Sequence, residues 1–145
     1  MKTTKHRTRP AAGFTMVEML IVISVIAIMA SLIISAFSNA AQDTRRVVAR
    51  QQQAAVQSAV NAWVSANSSG PGKSLTSART AYNGASTSLG RLNLVGGYLD
   101  VESLDHFTTN TTNNTQVQSQ ALIKTNQYLE LGVWNASSYP KVELK

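Results

Sequence analysis

Cysteine is absent from the 145 residues, so the fold has no disulfide and no thiolate metal site. Proline and glycine are both missing from Phe14 to about Ala66, and nothing there breaks a helix. Charge of either sign is missing from Met19 to Phe37, where only Ser24, Ser31 and Ser35 interrupt apolar and alanine residues. Acid is missing from residues 1–13, which hold Lys2, Lys5, Arg7 and Arg9. Histidine is scarce. His6 lies in the basic start, and His106 stands without a neighbouring cysteine or a serine in a nucleophile elbow, so no catalytic set is legible and the chain reads as a non-enzyme.

What is present is arranged in order along the chain. The uncharged run of 19 residues is long enough to cross a hydrocarbon core of about 30 Å as a helix. The basic residues before it set the N-terminus on the cytoplasmic side and everything after Phe37 outside. A conventional cleaved signal peptide and a plain uncleaved anchor share these features. The run is, however, longer than the 7–15 residues of a signal h-region, and the stretch after it continues as helix. One acid, Glu18, sits at the rim of the apolar run. A carboxylate at a membrane helix centre costs roughly 2.5–3.5 kcal/mol, and less near the end, so Glu18 calls for a partner.

The stretch Gly13-Phe14-Thr15-Met16-Val17-Glu18-Met19-Leu20-Ile21-Val22-Ile23 resembles the class III signal of type IV pilins and type II secretion pseudopilins. The resemblance covers residues 9–38 and is loose over the helix that follows. It implies a prepilin peptidase cut between Gly13 and Phe14, N-methylation of Phe14, and pairing of Glu18 with the Phe14 amine of a neighbouring subunit. It implies as partners other pilin-like subunits in a homo- or hetero-polymer, the peptidase, an assembly platform in the inner membrane, and membrane lipid. The implied location is the cytoplasmic membrane, single-pass, then a periplasmic or cell-surface filament. Ala11-Ala12 stands where many members have a basic residue before the glycine, and Ser35 lies near where many major pilins have proline.

Four segments follow from this reading: a cleaved leader at 1–13, a membrane and filament-core helix at 14–38, an amphipathic extension at 39–68, and a small exported β-rich domain at 69–145. The fold class expected is α+β, a long N-terminal helix packed against a small antiparallel sheet. Beyond Ser38, Gln42, Asp43, Arg45, Arg46, Arg50 and Gln51-Gln52-Gln53 are surface types. An apolar stripe runs through Val48, Ala55, Val56, Ala59, Val60, Trp63 and Val64, with Val56, Val60 and Trp63 as its core. The breaker Asn67-Ser68-Ser69-Gly70-Pro71-Gly72 ends the helix. In the membrane part Ser24, Ser31, Ser35 and Ser38 share a face with Ala27 beside them. Such a face suits close helix packing, and it equally suits serines bonded back to their own backbone.

In 69–145, Leu75–Tyr82 reads as a short helix or loop, Leu89–Leu99 as a connecting region, and Thr108–Gln116 as a Thr/Asn loop. Strands are expected at Val117–Lys124, at Tyr128–Trp134 with Leu129, Leu131 and Val133 on one face, and at Val142–Leu144, forming a meander. Asp100, Glu102, Asp105 and His106 form the one acidic cluster, a poor match to a calcium loop (Ca²⁺) and a better one to a solvated turn. No other cofactor is indicated. Outside the leader, nine Lys/Arg face seven Asp/Glu, a balance that does not indicate a nucleic-acid surface. The structural-subunit reading has one rival from another class, a minor pilin binding DNA or a surface. Lys124, Lys141 and Lys145 are few for that role.

Overall fold

A computed structural model describes residues 13–145. The leader, with Lys2, Lys5, Arg7 and Arg9, lies outside the described residues apart from Gly13. Helix α1 runs Met16–Ser68, as a stretch without glycine or proline allows. At its end Gly70 and Gly72 take φ of 124° and 75°, which side chains with a Cβ rarely adopt. Lys73 Nζ bonds the carbonyl of Ala66 at 2.7 Å and Asn67 Nδ2 that of Trp63 at 2.9 Å. The Lys73 bond satisfies a carbonyl of the last turn that has no partner inside the helix.

The described residues divide into two compact units at Ala40/Ala41. Every residue from 13 to 40 is exposed. From 41 onward α1 has a buried stripe of Ala49, Val56, Ala59, Val60, Trp63 and Val64. The stripe was expected at Val48 and Ala55 as well, but Val48 is half-buried and Ala55 exposed, while Ala49 is buried. The stripe thus turns one residue away from the expected line at its start.

Four short helices follow: α2 (Leu75–Gly84), α3 (Ser88–Val95), α4 (Val101–Asn110) and α5 (Gln120–Lys124), with a 3₁₀ turn at Gly96–Tyr98. Each has its own N-cap. Ser74, Thr87, Asp100 and Ser119 accept from the backbone N–H of Ser77, Gly90, Ser103 and Leu122. The sheet is β1 (Leu129–Leu131) paired antiparallel with β2 (Val142–Leu144), Leu131 opposite Val142. The fold is therefore α+β, a long helix with a small antiparallel sheet. One core joins Val56, Val60 and Trp63 to Tyr82, Leu92, Val95, Leu122, Leu129, Leu131 and Val142.

The region from 69 onward is richer in helix than its sequence suggested. The strand expected at Val117–Lys124 is one bridge, Val117 to Leu129, followed by α5. Gln-Ala-Leu-Ile-Lys are all fair helix formers, and the Ser119 cap starts them. The expected meander is a two-stranded hairpin. β1 stops at Leu131, and Val133 is 56% exposed rather than on the buried face. The expected Thr/Asn loop is helix up to Asn110. Asn113 then folds an Asx turn by accepting from Thr115 N and Oγ1.

A two-strand sheet leaves two edges open, and helix side chains close both, joined on the β1 side by the Val117–Leu129 bridge. On the β2 side, Gln57 accepts from Val142 N at 2.8 Å and donates to Pro140 O at 3.1 Å, and Gln53 donates to Val142 O. On the β1 side, Ser88 accepts from Leu131 N and Arg91 donates to Leu131 O at 2.7 Å. Asn83 grips the backbone of Trp134 in the same two-bond manner. These side-chain amides and polar groups do the work of neighbouring strands. Glu130 and Glu143 face each other across the pair, and Lys145 Nζ lies 2.6 Å and 3.5 Å from their carboxylates. The hydrogen bond to Glu130 raises the Lys145 pKa, and the attraction of both acids adds to it.

Candidate functional site

Helix α1 begins at Met16, which makes Thr15 its N-cap and Glu18 its third helical residue. Glu18 Oε2 accepts from Thr15 N and from Thr15 Oγ1, both at 2.8 Å, and Thr15 Oγ1 accepts from Glu18 N at 3.2 Å. This is a reciprocal capping box. The acid is thus held at the helix start, beside the positive end of the helix dipole. Its partners are neutral donors of its own chain. They fix where the carboxylate sits and leave its negative charge without a cation. The Thr-x-x-Glu spacing was legible in the sequence as a cap, and reading Glu18 only as a charge missed it.

Phe14, just before the cap, is 77% exposed. Gly13 does not have positive φ, and a Cβ built on it would meet nothing within 4 Å. From Met16 to Phe37 the large apolar residues are all exposed, and none of the most apolar stretch of α1 is buried. This helix is long and apolar enough to cross a membrane.

Ser24, Ala27, Ser31 and Ser35 all lie on α1 and are exposed. Ser24 Oγ donates to the carbonyl of Leu20 at 2.7 Å, the back-bonded arrangement.

The acidic cluster is spread over the start of α4. Asp100 is its N-cap, with Oδ2 accepting from Ser103 N at 3.1 Å, and Glu102 lies in the first turn. His106 Nε2 is 3.4 Å from Gln120 N. Among the described residues no three His, Cys, Asp or Glu come together to hold a metal. The oxygen of Asp100 is committed to a cap, and Asp105 stands one turn further on.

Behind the sheet an aromatic chain connects Trp63, Tyr82, Trp134 and Tyr139, with ring centroids 5.8–6.3 Å apart. Arg91 is only 6% exposed, and its guanidinium carbon lies 5.7 Å from the centre of the Tyr82 ring. Burial pushes the Tyr82 pKa up to about 12, and the nearby Arg91 charge opposes the rise. Trp63, Tyr82 and Trp134 belong to the core, and Tyr139 stacks on Trp134 from its exposed side.

No curated protein and no solved structure matches the chain. One family does match. Residues 8–34 fit the prokaryotic N-terminal methylation motif, a span that includes Gly13, Phe14, the Thr15–Glu18 cap and most of the exposed apolar run. The chain carries the class III signal of type IV pilins and pseudopilins, set on a long apolar N-terminal helix.

Proposed function

We propose that the chain is a structural subunit of a type IV pilus-like or type II secretion pseudopilus filament. A prepilin peptidase cuts it between Gly13 and Phe14, and the new Phe14 amine is methylated. The subunit waits in the cytoplasmic membrane with residues 41–145 outside and then polymerises through its N-terminal helix. The observation that carries this reading is the methylation motif at 8–34, on a helix whose apolar stretch finds no cover in its own chain.

Cleavage leaves the Phe14–Thr15 peptide bond intact, so the cap survives and a cation appears one residue before it. Glu18 is then a fixed carboxylate with a charge still to neutralise. In a filament core an unpaired charge is strongly disfavoured, and the amine of a neighbouring Phe14 meets the need. That pairing selects the axial register of neighbouring subunits. The small residues Ser24, Ala27, Ser31 and Ser35 let apolar helices approach closely.

Intact-mass analysis of membrane-extracted protein tests the reading. The expected mature chain starts at Phe14 with an added methyl group. A chain starting at Met1, or after Ala40, would overturn it.

A further inference from the structure

We propose that the start of the second unit is a binding surface for anionic phospholipid headgroups of the outer leaflet. This rests on the membrane reading above and adds a headgroup-binding surface that the methylation motif does not supply. Between Asn39 and Gln53 the charged residues are Arg45, Arg46, Arg50 and the single acid Asp43. Arg46 and Arg50 are one helical turn apart, on one face of α1, and both are exposed. Lys124, at the end of α5, joins them. It lines a cleft of about 260 Å³ together with Arg46, Gln42, Thr125 and Asn126. Cations and neutral hydrogen-bonding groups in one cleft suit a phosphate group.

Asp43 does not cancel the surface. Its contact with Arg46, at 3.5 Å, joins two exposed side chains and is weak in water.

The lipid headgroup is favoured over free phosphate or an acidic patch of a second copy for three reasons. Arg46 and Arg50 follow the last residue of the uncharged run, Phe37, by nine and thirteen positions. Long arginine stems let a guanidinium reach phosphate groups well away from its own Cα. Val47 on α1 and Ile123 on α5, next in sequence to Arg46 and Lys124, are exposed apolar residues. Mixed basic and apolar exposure fits a membrane interface, where the apolar groups enter the headgroup boundary and the cations meet phosphate.

The test uses the full chain reconstituted in phosphatidylcholine vesicles, with or without about one third phosphatidylglycerol. Amide hydrogen exchange over residues 41–50 is the readout, with the strand amides of Leu129 and Leu131 as a folding control. Exchange over 41–50 should be at least about five-fold slower in the anionic vesicles, and salt should reverse it. The triple variant Arg46→Gln, Arg50→Gln, Lys124→Gln should abolish the difference while the strand amides keep their rates.

Equal exchange in both vesicle types overturns the proposal. Protection in neutral vesicles on adding inorganic phosphate assigns the cleft to the free ion and also overturns it. So does protection that grows with protein density in neutral vesicles, which identifies a second copy. Alkaline carbonate extraction separates this from the reading beneath it. Release from both vesicle types removes the membrane anchor and this surface together, whereas retention in both without the lipid dependence removes this surface alone.

Discussion

The first and second halves of helix α1 have the same secondary structure and opposite fates. Up to Ala40 every described residue is exposed, although most are apolar. From Ala41 on, many polar residues face solvent, Gln53 and Gln57 bond the sheet edge, and Ala49, Val56, Ala59, Val60, Trp63 and Val64 are buried. The second half is explained by the chain's own core. The first half is not, and exposed apolar surface on that scale needs a lipid or protein environment. Each prediction below can break or sharpen that contrast.

The largest effect is expected in the first half, at Glu18. Glu18→Val removes both the charge and the capping box, whereas Glu18→Gln keeps a box that glutamine can also complete. If the charge neutralises a neighbour's amine, both variants lose filament incorporation by about a hundredfold or more, in line with the cost of breaking a buried ion pair. Membrane insertion should be intact in both. The measurement is the sheared or secreted filament fraction against the membrane fraction. Normal incorporation of Glu18→Gln with failure of Glu18→Val would show that the acid acts as a cap, and the proposed pairing would fall.

The second prediction sets the halves directly against each other. Trp63→Ala empties a buried site and should cost about 3–5 kcal/mol, enough to unfold a unit this small. Ile26→Ala removes as typical an apolar side chain from the first half, where it touches no core. It should leave the melting of the full chain in detergent unchanged. Equal destabilisation by the two substitutions would mean that the first half contributes to the fold after all.

A third, smaller effect concerns the sheet edge. Gln57→Ala leaves Val142 N and Pro140 O without their partners, and both residues are buried. The expected cost is about 1–3 kcal/mol, with a new tendency to associate through the opened edge. Chemical denaturation and light scattering of the variant would show it. A variant as stable and as dispersed as the parent would mean that the amide closure is incidental.

The contrast also shows what a sequence displays and what it hides. The methylation motif was legible because the apolar run frames it, and the end of α1 because Gly70-Pro71-Gly72 can hardly be helical. The core residues Val56, Val60 and Trp63 were legible from helical spacing over a long window. The strand reading of Val117–Lys124 failed because a short apolar run has no clear period, and the deciding residue was the cap at Ser119. Arg91, Asn83, Gln57 and Ser88 were hidden for a different reason. Each serves a backbone group 40 or more residues away, and no local pattern records such a bond.

The smallest expected effect is at Tyr82, and its sign is the informative part. The ring is buried between Trp63 and Trp134, while its hydroxyl is buried with no hydrogen-bond partner among the described residues. Tyr82→Phe keeps the ring and removes the unsatisfied oxygen, so stability at neutral pH should stay level or rise by about 1 kcal/mol. The pH dependence sharpens the test. Burial raises the folded pKa to about 12, above the ordinary value of about 10 in the unfolded chain. Below about pH 10 both states keep the proton and the full stability is present. Between about 10 and 12 the unfolded state loses it first, so stability falls as pH rises. Lysines titrate in the same window, so the quantity to compare is the difference between parent and variant. The parent should lose more stability than Tyr82→Phe on going from pH 9 to pH 11.5. Identical alkaline profiles would mean that water reaches the hydroxyl, and that the aromatic centre of the second half is less closed than its packing indicates.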